Sequence, residues 1–199
     1  NILEDDSSTR EYQCTRLKTN NDGLVCYVLT PAIVNSNENP DIKVIFKGTD
    51  PSCAASVIRD IELRGAGSLS FAANATRILS QLNQAIKQFN QDKNPTQIPL
   101  SITFAGHSLG GADAQNALNA TMNALCKVHG LERNEPARMP CPAPEELAQL
   151  ALVNKLRLFT YNAAGVPSFT AKECDASAAL LAELRTQNGS PKIQIESYN

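Results

Sequence analysis

The chain has 199 residues, with 18 Lys and Arg against 20 Asp and Glu for a net charge of -2. That length suffices for one domain with a substantial core, while the balanced charge and the lack of a basic run leave no electrostatic footprint for nucleic acid. No apolar run approaches the ~18 residues of a membrane span, and residues 1–9 are polar and acidic, unlike a signal peptide.

In chain order, residues 1–20 read as a polar extension. Apolar, β-branched runs predict strands over 24–30 and 42–47, with a turn-rich segment over 35–41 between them. A helix is expected over 53–63, capped near Asp50, followed by a glycine-punctuated loop over 64–68. The apolar set Phe71, Ala75, Ile78, Leu79, Leu82, Ile86 and Phe89 keeps the three-and-four spacing of a helix with one buried stripe, over 71–89.

A short apolar strand over 100–105 then enters the most informative stretch of the chain, Gly106-His107-Ser108-Leu109-Gly110-Gly111-Ala112. Strand, glycine turn and helix in that order are the build of a nucleophile elbow, G-x-S-x-G, with Ser108 at its apex. The bare pattern arises by chance in about one chain in fifteen of this length, so the flanking strand and the packed helix that follows carry the inference. A side chain at position 106 or 110 is expected to clash with the crossing strand or helix. The first N–H groups of the next helix are available to a developing oxyanion.

Beyond the elbow helix, the proline-rich segment 130–144 reads as a surface excursion. A helix over 144–153, a strand over 156–161, a helix over 175–187 and a strand over 192–197 complete the pattern. Alternating strands and helices predict an α/β fold: a mostly parallel sheet with helices on both faces, in a single domain over 1–199.

The six cysteines are scattered without a C-x-x-C pair, so zinc and thioredoxin-like chemistry lack support. Fifteen connectivities would be open if all were paired, and several read more simply as small buried hydrophobes. No metal or cofactor is expected. Sequons stand at Asn74, Asn119 and Asn188, two of them in predicted helices.

Three blocks resemble the class 3 lipases in order and rough spacing: Val44-Ile45-Phe46-Lys47-Gly48-Thr49, the elbow, and Leu158-Phe159-Thr160-Tyr161-Asn162-Ala163-Ala164-Gly165-Val166. The third block departs from the commoner proline-containing form at 162–165. The resemblance spans about residues 24–199 and implies an α/β-hydrolase-type sheet, incomplete at its C-terminus. It also implies a serine lipase or esterase, with Ser108 as nucleophile and the backbone N–H groups of Thr49 and Leu109 as the oxyanion hole. A lipid or small-molecule ester substrate, peripheral membrane contact and a secreted location are further implications.

A serine hydroxyl needs a base, and the base an orienting acid. The chain holds two histidines, His107 and His129. His107 adjoins the nucleophile within the turn and reads as an elbow-shaping residue; His129 reads as a residue at the C-terminus of the elbow helix. For His129 to close a triad ordered Ser, acid, His, the acid would have to be Asp113, which points to another face of the elbow helix. Asp175 is the remaining candidate acid, although it reads as a helix N-cap. Acid and base are therefore expected beyond residue 199, in the C-terminal remainder of the same protein. The other reading is a noncatalytic interaction domain that keeps the hydrolase fold without a working relay.

Overall fold

The computed structural model describes residues 11–17, 19, 23–34, 39–50, 52, 68–94, 96–131, 139–163, 168–184 and 192–198. Six strands form one sheet: β1 (Tyr12–Arg16), β2 (Cys26–Pro31), β3 (Asp41–Phe46), β4 (Leu100–His107), β5 (Val153–Tyr161) and β6 (Gln194–Tyr198). Among the described residues three α-helices, α1 (Ser68–Asp92), α2 (Leu109–Val128) and α3 (Ser168–Glu183), join a 3-10 helix over Pro144–Leu152.

The strands lie side by side in chain order, with β1/β2 and β2/β3 antiparallel and the pairings from β3 to β6 parallel. Each parallel pairing needs a long crossover; α1 serves β3 to β4, α2 with the 3-10 helix serves β4 to β5, and α3 serves β5 to β6. Crossovers are right-handed almost without exception. Because the strand order advances in one direction throughout, right-handed crossovers put all their helices on the same face.

That face is the core. It carries Cys26, Val28, Ile42, Val44, Phe46, Leu100, Ile102, Phe104, Leu156 and Leu158, all buried. Every apolar residue of the α1 stripe is buried as its spacing predicts, and Phe71 meets Phe46 with ring centroids 6.1 Å apart. Helix α2 is the central one, buried at every position from Leu109 to Cys126 except Gln115.

The opposite face is polar and aromatic, and no described helix covers it. By strand alternation it holds all four tyrosines of the chain, Tyr12, Tyr27, Tyr161 and Tyr198. Arg157 bridges strands there, meeting Asp41 at 3.6 Å and Glu196 at 3.3 Å, and Lys155 meets Glu196 at 2.6 Å. Of the expected helices on both faces, those described lie on one; the expected helix over 53–63 falls outside the described residues.

Other expectations change in detail. Residues 12–16 are not part of a polar extension but the edge strand β1, paired with β2. The helix expected over 144–153 is 3-10 and kinked at Leu147. The last helix begins at Ser168, seven residues before the predicted start, so Asp175 lies inside it and is no N-cap. The part of segment 130–144 over 132–138, and the sequon at Asn188, lie outside the described residues. Asn74 and Asn119 are fully buried in helices, which removes both as glycan acceptors in the folded chain. Cys14, Cys26 and Cys141 are free thiols; Cys26 and Cys126 are buried, as small hydrophobes would be.

Candidate active site

The elbow is built where β4 runs into α2. Ser108 stands between them with φ 55 and ψ -127, a conformation that L residues adopt rarely and that marks a held turn. The glycines make it possible. A Cβ on Gly106 would overlap the carbonyl of Gly110, and one on Gly110 would overlap the Phe46 carbonyl and sit 3.0 Å from the Gly48 nitrogen. The strand and helix thus cross backbone to backbone, as the G-x-S-x-G spacing predicts. Ser108 is half-buried and its side chain makes no capping bond to α2, which leaves Oγ available.

The end of β3 closes on the same point. A Cβ on Gly48 would come within 2.7 Å of the His107 carbonyl oxygen, so the chain that runs on to Thr49 lies against the elbow at Gly48. Leu109 is the first residue of α2, where backbone N–H groups have no intrahelical acceptor. Asp50 braces the loop after Thr49: it accepts from Lys47 Nζ at 2.7 Å, from Ser52 Oγ at 2.6 Å and from the Ser52 amide at 3.0 Å. The Lys47 bond, then those from Ser52, hold the Asp50 carboxyl down at about 2. The sequence predicts Asp50 only as a helix cap, although its spacing to Ser52 is an Asx-turn signal.

The end of β5 supplies the third wall. The Ser108 amide donates to the Tyr161 carbonyl at 3.0 Å. Asn162 turns the chain through φ 46, and Ala163 Cβ lies only 2.6 Å from where a Gly111 Cβ would be.

The titratable candidates are not brought together. The His107 ring is exposed and stacks on Tyr161, with centroids 5.5 Å apart. His129 caps the far end of α2, a helix of 20 residues, which places it about 30 Å from Ser108 at ~1.5 Å per residue. There its Nδ1 lies 3.4 Å from Lys192 Nζ, and burial, then the Lys192 charge, depress its pKa. Asp113 is fully buried and acts on another strand: desolvation, then its carboxylate, push the Cys26 thiol far up. Asp175 lines a cavity of about 310 Å³ with Gln115, Leu118 and Met122, a wall of α2 that begins roughly 10 Å along the helix from Ser108.

Among the described residues no group of three His, Cys, Asp or Glu side chains is placed to hold a metal ion, and no helix is long and apolar enough to cross a membrane. No protein-family model matches the chain, and no curated protein matches it.

Proposed function

We propose that this chain carries the nucleophile and oxyanion hole of a serine hydrolase that cleaves carboxylic esters, in the manner of the class 3 lipases it resembles. One observation carries the reading: Ser108 is held at positive φ between two glycines that have no room for a Cβ. A strand-to-helix turn of that kind lifts a hydroxyl clear of the backbone at a helix N-terminus.

In the proposed reaction Ser108 Oγ attacks the ester carbonyl carbon while a histidine takes its proton. The carbonyl oxygen becomes an oxyanion held by the backbone N–H groups of Leu109 and Thr49. Collapse expels the alcohol, which receives the proton, and leaves an acyl group on Ser108; water then releases the acid by the same steps. Neither histidine of the chain is placed to serve Ser108, since His107 is stacked on Tyr161 and His129 stands at the far end of α2, so the proposed reaction draws its base from neither. That same separation favours the second reading, an interaction domain with the elbow retained and no relay.

The test is labelling of the full-length protein by a fluorophosphonate probe, followed by ester hydrolysis with p-nitrophenyl esters. Ser108→Ala abolishes both if Ser108 is the nucleophile. Labelling that survives Ser108→Ala excludes Ser108, and a wild-type protein that neither labels nor hydrolyses favours the interaction domain. The 199-residue chain by itself is expected to turn over esters poorly.

A further inference from the structure

We infer that Tyr161, Asn162 and Ala163, at the end of β5, are positioning residues for Ser108, an inference that rests on the serine hydrolase reading only for its effect on catalysis. The strained turn at Ser108 has few anchors of its own. Its carbonyl accepts from Gly111 at 2.9 Å and from Ala112 at 3.3 Å within the helix start, while its amide reaches outside the elbow, to the Tyr161 carbonyl at 3.0 Å. That bond fixes the height of the nucleophile relative to β5.

The second anchor is steric. The left-handed turn at Asn162 swings the chain so that Ala163 abuts Gly111: a Gly111 Cβ would lie 2.6 Å from Ala163 Cβ and 3.0 Å from Ala163 Cα. Asn is among the few L residues that occupy this region readily, because its short amide bonds locally. Gly110 meets the end of β3 on the other side. The first turn of α2 is therefore clamped between two strand ends, and the oxyanion donor at Leu109 moves with it. The third anchor is the ring stack of His107 on Tyr161, paired across β4 and β5.

A displacement of about 1 Å in such a site costs on the order of 10²-fold in rate, so the clamp is tested by shifting it and shifting it back. Gly111→Ala is expected to slow the bond-forming step with a fluorophosphonate probe by about tenfold while leaving the affinity for the probe unchanged. Adding Ala163→Gly removes the closest clash and is expected to recover at least about threefold of that loss, a non-additivity that neighbours in contact show. Asn162→Val slows the same step, and Asn162→Gly, which accepts positive φ, does not. Thermal melting of each variant confirms that it is folded.

The same variants on a Ser108→Cys background, read by the rate and pH profile of iodoacetamide alkylation, report the position of the side chain over the helix N-terminus without any catalytic base. If the wild-type serine of the full-length protein is inert to the fluorophosphonate, the hydrolase reading fails and the alkylation rates alone judge the clamp. Additive effects of Gly111→Ala and Ala163→Gly in both measurements, or equal rates for Asn162→Val and Asn162→Gly, would overturn it.

Discussion

Under the proposed reaction, Asp50 is a side chain that acts on the oxyanion hole from outside the chemistry. The loop around Thr49 has no regular secondary structure, and bonds from Lys47 Nζ and from the hydroxyl and amide of Ser52 into the Asp50 carboxylate brace it. Removing the carboxylate frees the loop without opening the core, so Asp50→Ala should slow the reaction of Ser108 with a fluorophosphonate by about tenfold, short of the roughly 10²–10³ that loss of an oxyanion donor itself costs. The melting temperature should change little, and Asp50→Asn should fall between, since an amide oxygen still accepts from Ser52. A rate for Asp50→Ala equal to wild type would show that the loop needs no brace. The pH dependence has a definite sign. The folded pKa, about 2, lies below the ordinary 3.8, so the brace is fully present above about pH 4 and is lost as the pH falls toward 2.

Strand β4 and helix α2 meet through absent side chains, and the glycines there differ in kind from one that only turns the chain. Gly106 has no room for a Cβ, whereas Gly130, at φ 67, has nothing within 4 Å of one. Gly106→Ala should therefore destabilise by roughly 1–3 kcal/mol through overpacking and abolish labelling at Ser108. Gly130→Ala should cost about 1 kcal/mol in backbone strain and leave labelling intact; denaturant melts with labelling assays separate the two. This distinction was half legible in the sequence: the spacing of Gly106 and Gly110 around Ser108 implied a crossing too close for side chains, as did the α1 stripe from Phe71 to Phe89 imply a buried helix. The edge strand β1 was not legible, because Gln13, Thr15 and Arg16 supply no apolar alternation and an exposed edge demands none. The start of α3 was misplaced for the opposite reason, since Asp175 carries a capping signal that helix formation from Ser168 overrides. The parts of the site drawn from Tyr161, Asn162 and Ala163 depend on a β4–β5 pairing between segments about fifty residues apart, which no local pattern specifies.

Across the whole molecule, the monotonic strand order decides what can reach what. Right-handed crossovers that all advance in one direction stack α1, α2 and α3 on one face, and α2 runs the depth of that layer, from the elbow to His129. Its two ends should then respond to different variables. At the far end, burial and Lys192 disfavour the charged imidazole and hold the folded pKa of His129 below its ordinary 6.5. The unfolded chain therefore binds the proton more readily: the contribution of neutral His129 to stability is fully present above pH 6.5 and is lost as the pH falls through that value toward the lower folded pKa. His129→Gln cannot take up the proton, so its melting temperature should drop less between pH 7 and pH 5 than that of the wild type. The rate at which Ser108 reacts with a fluorophosphonate at pH 7 should stay within about twofold, as expected for sites too far apart to couple. A large loss of that rate would mean that the helix transmits the state of its C-terminus to the elbow, or that His129 reaches Ser108 in another arrangement of the chain. An unchanged rate with a flattened pH profile of stability would show that His129 is a structural residue of the helix end and not the proton acceptor for Ser108.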